Sequence, residues 1–368
     1  MLITCKTNAI NKAIQTALRA IISKPTTPIF SGLHLIAQAG RLTVEGMDLN
    51  MAISCTLDAE VEEEGEALIS ARHLSELVRK LSSEEITINT ERDKKSVRLE
   101  AGKSSFNLLA MDENDYPRFP SFESASGFTL SGEAIGLLIR KTVYACSQDE
   151  ARPLFTGVLA EVADKRITFV GTNTHRLAIK SMEIDAEDLS VIIPAKVLQE
   201  IIRDLSDEEA QEVEISILRN EIMVKIDDIV IVSRLIEGRF PDYRKVIPRN
   251  FAITSKANAK ELAGAIERIA LFSTEGNYST IKMSFGAGDI VITSSSPDVG
   301  SGREVVSCET EGGELKVAFN AKYLLEILKN LDGDDAIFSL NESLKPATVT
   351  SEEDKDYVYI VTPLRVTF

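Results

Sequence analysis

SARHLSELVRKL (residues 70–81), PAKVLQEIIRDL (194–205) and NAKYLLEILKNL (320–331) are one helix written three times. Each reads x-Ala-basic-x-Leu-x-Glu-apolar-apolar-basic-x-Leu. The first basic position recurs as Arg72, Lys196 and Lys322, at intervals of 124 and 126 residues. In the middle copy Ala195, Leu198, Ile202 and Leu205 fall at helical spacing and predict a core-facing stripe. Lys196 and Arg203 lie two turns apart and project from one side, as do Arg72 with Arg79 and Lys322 with Lys329.

A repeat of this length organises the whole chain. Phe30 and Phe155, Gly32 and Gly157, and Gly46 and Gly171 each stand 125 residues apart, within TPIFSGLHLIAQAGRLTVEGMDLN (27–50) and RPLFTGVLAEVADKRITFVGTNTH (152–175). A weaker third copy begins at Tyr278. Thr4, Thr129 and Thr254 open the three units, with Ala9, Ala134 and Ala259 in register behind them. Alternating runs such as GRLTVEGMDLNMAISCTL and NEIMVKIDDIVIVSRL carry the period of two that marks half-buried strands. Each unit therefore reads as two similar halves, each a helix with strands. The predicted fold is α+β, three tandem domains of two helices packed on antiparallel sheets, at 1–125, 126–250 and 251–368. The Pro-, Ser- and Gly-bearing stretches 119–128 and 246–251 mark the boundaries.

Composition narrows the class. With 368 residues, 44% hydrophobic and 27% charged, the chain has a globular profile. It holds no apolar run of the roughly 20 residues a membrane helix needs. Its N-terminus lacks the basic start and apolar block of a secretory leader. Cys5, Cys55, Cys146 and Cys308 are too scattered for a metal site or a disulfide framework, so a reducing cytoplasm is expected, with no cofactor and no metal.

The net charge of −16 argues against a chain that coats itself in nucleic acid. The charge is segregated, however. The six helical stretches hold fourteen basic residues (Lys12, Arg19, Lys24, Arg72, Arg79, Lys80, Arg140, Lys141, Lys196, Arg203, Lys260, Arg268, Lys322 and Lys329) against seven acidic ones. Solvated faces with intrahelical pairs explain one such helix, because Glu200 lies within reach of both Lys196 and Arg203. Six related helices point instead to a phosphate-facing surface of many weak contacts indifferent to sequence.

Catalysis finds little support. His175, one of three histidines, lacks an adjacent nucleophile, acid or metal partner. AGKSS (101–105) is not a phosphate-binding loop, since Val97 stands where that motif needs Gly. The remaining alternative is a repeat-built scaffold that binds only proteins.

Six stretches resemble the bacterial DNA polymerase III beta subunit family, the sliding clamps: KPTTPIFSGL (24–33), FNLLAMDENDYPRFP (106–120), THRLA (174–178), EGRFPDYRKVIP (237–248), FNAKYL (319–324) and YIVTPLRV (359–366). The resemblance runs from end to end. It implies a head-to-tail homodimeric ring of six clamp domains, with twelve helices lining a hole for duplex DNA and sheets outside. It implies a non-catalytic processivity factor whose partners are double-stranded DNA of any sequence, the polymerase III alpha subunit, the clamp loader, and other polymerases and repair proteins. On the family pattern, Lys24, Arg72, Arg79, Lys141, Gln148 and Lys196 face DNA. A peptide groove takes Arg152, Leu154, Thr172, His175, Arg176, Leu177, Pro241, Lys245, Val246, Asn320, Tyr323, Thr362, Pro363, Leu364 and Arg365. The dimer edge takes Phe106 and Leu108 from one domain, Leu271 and Phe272 from another. Three features depart from the pattern: Thr174 where Gly is frequent, Lys245 where Arg is frequent, and a tail extended to Phe368 that can fold over the groove.

Overall fold

The computed structural model describes residues 1–368 apart from 23–24, 92–94, 121–126, 207–210, 219, 274–278 and 367–368. Among the described residues there are six α-helices: α1 (Thr7–Ala17), α2 (Ala71–Val78), α3 (Gly132–Thr142), α4 (Ala195–Asp204), α5 (Ala259–Ala270) and α6 (Ala321–Leu328). They pack on antiparallel sheets, as the α+β reading expects. The three repeated segments are indeed helices, at α2, α4 and α6.

The chain divides into two compact units, and the middle repeat is shared between them. Met1–Gly136 with Lys196–Leu235 forms the first, around a 13-stranded sheet. Leu137–Ala195 with Ile236–Phe368 forms the second, around a 12-stranded sheet. In the first unit the strand Ile229–Arg234 of the middle repeat pairs with Met51–Asp58 of the first repeat, in register Ile229 to Cys55. In the second unit Arg176–Glu183 pairs with Tyr357–Val361, in register Arg176 to Val361. Each half of the middle repeat thus continues a neighbour's sheet. The expected boundary at 125/126 falls outside the described residues, and that at 250/251 lies in coil just before the strand Ile253–Asn258.

Helix periodicity sets the cores. In α1 the buried residues Ile10, Ala13, Ile14 and Ala17 form one stripe, and in α6 Ala321, Leu324, Ile327 and Leu328 form another. The stripe of α4 differs from expectation. Val197, Leu198 and Ile201 are buried, together with Glu200, whereas Ala195, Ile202 and Leu205 are only half-buried. The physical reason is Glu200, which lies 3.5 Å from Arg19 and 2.8 Å from Arg203. A buried carboxylate needs such partners.

The repeated glycines have a steric cause. A Cβ at Gly46 would meet the Ala17 carbonyl oxygen at 2.3 Å, and one at Gly171 would meet that of Thr142 at 2.2 Å. In both units a strand passes directly against the end of the helix that opens the repeat. Only glycine permits that approach.

His34 forms a charged knot in the first unit. It lies on the strand Gly32–Gln38, 3.2 Å from Glu45 through Nδ1 and 3.3 Å from Glu66 through Nε2. The Tyr116 ring covers it, centroids 5.2 Å apart. Burial alone pushes the imidazole down, but the Glu45 hydrogen bond and the charges of Glu45, Glu66 and Glu113 carry it above its ordinary value.

Two outcomes follow for stability. Gly46→Ala and Gly171→Ala each lose about 1–3 kcal/mol in chemical denaturation through overpacking. Gly288→Ala, where a Cβ meets nothing within 4 Å, stays within about 0.5 kcal/mol of the parent; equal effects at all three sites would contradict the close-approach account. A raised His34 pKa stabilises fully below the unfolded value and loses that stabilisation as pH climbs through the folded value. Relative to His34→Gln, the parent therefore loses stability as pH rises above the ordinary imidazole value of about 6.5. Parallel pH curves for the two proteins would contradict it.

Candidate functional site

The helix cations separate into open and engaged groups. Arg72 is 81% exposed and pairs with Glu76, 3.2 Å away one turn along α2. Lys196 is 59% exposed, its nearest carboxylate 4.0 Å away on Asp48. Arg79, Lys322 and Gln148 are exposed, and so are Lys12, Lys80 and Arg140. Lys24 lies outside the described residues.

Two cations fail the expectation of a phosphate-facing role. Lys141 is buried, pairs with Asp332 at 2.7 Å, donates to the Asn330 carbonyl, and sits 4.9 Å over the Tyr357 ring. Its ammonium is already satisfied within the second unit. Its neighbour Arg140, one position round the helix, faces solvent instead. Arg19 likewise donates to both Asp204 carboxylate oxygens at 2.6 Å. Spacing of seven along a helix places residues on one side, but it does not say whether an acid from a distant segment meets them there.

The second unit contains a pocket of about 270 Å³. Thr172, Arg176, Leu177, Pro241, Val246 and Thr362 line it, all from the expected groove. Phe155, Phe240, Tyr243, Pro346 and Ile360 also line it. These apolar walls were not assigned from sequence, although Phe155 is a repeat landmark and the other aromatics lie in EGRFPDYRKVIP. Phe155 and Phe240 meet edge to face at 6.2 Å. Tyr243 donates to Glu161 at 3.1 Å, and burial pushes its hydroxyl up to about 12.

One wall is the turn 172–176. Thr172 Oγ1 donates to the Arg176 carbonyl at 2.6 Å and accepts from the Thr174 amide at 3.1 Å. Asn173 Oδ1 accepts from the amides of His175 and Arg176 at 3.0 and 3.1 Å. Thr174 sits at φ +77, the left-handed region that favours glycine. Its exposed hydroxyl accepts from Arg152 Nη1 at 3.4 Å. His175 is exposed at the rim. Arg176 is not an open cation. It is 6% exposed, donates to Glu326 and to the Tyr144 carbonyl, and stacks 4.5 Å from the Tyr323 ring centroid.

The remaining groove residues surround this wall. Leu154 is half-buried against the cluster of Leu177, Tyr243 and Ile360. Lys245 is 81% exposed and pairs with Asp242 at 3.4 Å. Asn320 is buried and caps α6 by accepting from the Lys322 amide. The tail is pinned, since the Thr362 amide donates to the His175 carbonyl at 2.9 Å and the Leu364 amide to the Ala318 carbonyl at 2.8 Å. Pro363 is buried and Arg365 exposed. The expected folding of Phe368 over the groove lies outside the described residues.

The expected dimer residues divide by exposure. Phe106 and Leu108 are half-buried on the strand Ser104–Met111, with Leu108 against the first unit's core. Leu109, pointing the other way, is 80% exposed. This strand pairs along one side with Ser96–Ala101, but on its other side, among the described residues, only Ala110 and Met111 find partners. In the second unit Leu271 is 73% exposed, while Phe272 is half-buried. The strand Gly300–Glu311 there pairs with Asp289–Ser296 from Gly300 to Ser307, and only its last four residues pair on the other side. Each unit therefore presents a partly unpaired strand edge beside an exposed leucine.

Models of the DNA polymerase III beta subunit match the chain three times: the N-terminal domain at 1–120, the central domain at 129–242 and the C-terminal domain at 244–365. The beta sliding clamp of Bacillus subtilis is 31% identical over 378 residues, covering 99% of this chain and 100% of the relative. That of Staphylococcus epidermidis is 29% identical over 373 residues, covering 98% of each. The crystal structure of the Bacillus subtilis DNA polymerase sliding clamp matches with a TM-score of 0.96 at 29% identity, over 100% of both chains. A Pseudomonas aeruginosa sliding clamp bound to griselimycin matches at 0.93 and 28% identity, again over 100% of both. The chain belongs to the DNA polymerase III beta subunit family, the beta sliding clamps.

Proposed function

We propose that two copies of this chain close head to tail around duplex DNA and tether replication proteins to it. The observation that carries this reading is the repeated helix. Arg72, Lys196 and Lys322 occupy the same position in successive copies, and all three are exposed. Phosphate contacts from equivalent points hold DNA without reading its sequence, which movement along DNA requires. The DNA-facing set is Arg72, Arg79, Gln148, Lys196 and Lys322, joined by Arg140 in place of Lys141, with Lys24 on the family pattern. The strongly acidic remainder of the chain keeps DNA off other surfaces.

The partly unpaired edges at Ser104–Met111 and Gly300–Glu311 suit pairing between copies, with Leu109 and Leu271 beside Phe106, Leu108 and Phe272 as apolar contacts. The three domains of this reading are 1–125, 126–250 and 251–368. The protein is a non-catalytic processivity subunit that works in the cytoplasm, and no helix among the described residues is long and apolar enough to cross a membrane.

The pocket of the second unit suits an extended peptide with apolar side chains near its end. Its walls are mostly apolar and its few polar groups fix orientation. The alpha subunit of the polymerase, the clamp loader and repair proteins carrying such a segment would share it, one at a time.

The DNA reading has a quantitative test. Replacing Arg72, Lys196 and Lys322 together by Ala lowers the steepness of the salt dependence of DNA affinity, by about one unit of log–log slope for each phosphate-bound cation removed. Arg140→Ala acts in the same direction. An unchanged slope in the triple variant would remove the helix face from the DNA path.

A further inference from the structure

The pocket's turn is tied to α6 at two points. Asn173 Nδ2 donates to the Tyr323 hydroxyl at 3.1 Å, and the Arg176 guanidinium donates to Glu326 and lies over the Tyr323 ring. Residues 173 and 176 are three apart on the turn; 323 and 326 are three apart on the helix, hence on one face. Tyr323 is itself fixed, because Tyr359 donates to its carbonyl at 3.0 Å. Glu326 does not line the pocket.

The first unit supplies an internal comparison. By the repeat spacing Asp48, Leu49 and Met51 correspond to Asn173, Thr174 and Arg176. The turn has the same frame there, with Asp48 Oδ1 accepting from the amides of Asn50 and Met51 at 2.7 Å. Yet Val197 replaces Tyr323 and Met51 replaces Arg176. Glu200, at the place of Glu326, pairs with Arg19 and Arg203 instead. Leu49 is not among the positive-φ residues. Met47, at the place of Thr172, packs with Phe30, Leu68 and Tyr116 in a buried apolar cluster. The tether occurs where the pocket is hollow and the turn strained. It is replaced where a buried methionine stands in place of Thr172 and the turn has no left-handed residue at position 49.

We propose that Tyr323 and Glu326 are positioning residues that hold the 172–176 turn, with its left-handed Thr174, in the shape that walls the pocket. A strained backbone persists only where its surroundings over-determine it, and the two ties supply that constraint. The proposal rests on the pocket being a peptide site. Loss of either tie lets the turn relax, and the apparent affinity then falls by the fraction of molecules still in the competent shape.

The test uses the full chain and a fluorescent synthetic peptide with one Gln and two apolar residues at its end. Tyr323→Phe and Glu326→Gln each weaken binding about tenfold. Both also speed hydrogen exchange at the amides of 172–177 in the free protein. Adding Thr174→Gly, which takes the left-handed shape without strain, recovers affinity in both backgrounds. Wild-type affinity and exchange in Tyr323→Phe would overturn the proposal, even if Glu326→Gln proved too unstable to fold with its buried arginine unpaired. Weakening that Thr174→Gly does not recover would also overturn it, since Tyr323 would then act by direct contact. A parent chain that binds no such peptide would count against the peptide site, whereas faster exchange in the variants would still support the ties.

Discussion

Backbone pairing between strands of different repeats is the constraint on which the rest depends. A clamp repeat standing alone would leave an unpaired sheet edge, with its row of unsatisfied amides and carbonyls. Here the edge of Met51–Asp58 is taken by Ile229–Arg234, and that of Tyr357–Val361 by Arg176–Glu183. The second junction also delivers Arg176 and the turn before it to the third repeat, where Glu326 and Tyr323 receive them. The pocket is a product of that junction, since its walls come from the middle repeat, from Phe240 to Val246, and from the strand ending at Val361. Sheet continuity fixes these pieces in place. Side chains then decide whether the space between them stays open.

The two units show how one frame gives different outcomes. Thr172 leaves room where Met47 fills it, and Arg176 reaches a carboxylate where Met51 packs. The charges follow the same logic. Arg19 and Lys141 stand on helices that carry open cations, but each meets an acid from a distant segment and becomes part of the packing. A buried cation left without such a partner would cost several kcal/mol. What remains for DNA is a smaller, more regular set than the sequence count implies, with one exposed base at the same place in each copy of the repeated helix.

Much of this was legible in the sequence because it is local or periodic. The three-fold repeat, the six helices, the alternating strands and the THRLA turn all announce themselves within short windows. Gly46 and Gly171 are visible as a spacing, although only the helix ends pressing on them explain it. Long-range partners were not legible. Lys141 reads as an open cation until Asp332, nearly two hundred residues away, is placed beside it. The stripe of α4 reads one position off because Glu200 is buried there, and one of its two partners, Arg19, comes from a distant segment. Phe155, Pro346 and Ile360 look like ordinary core residues until the pocket gathers them. Position 174 is intermediate: the departure from glycine is visible, but its meaning depends on the backbone angle.

The central claim is that the protein holds DNA by enclosing it, and retention after loading tests this most directly. The protein is loaded onto a nicked circular plasmid by a clamp loader, washed in high salt, and the circle is then cut once. Enclosure predicts that the protein survives the salt wash, because a topological link does not depend on phosphate contacts, and that it is lost once an end appears. Loss in salt before cutting would show ordinary electrostatic binding and contradict the account.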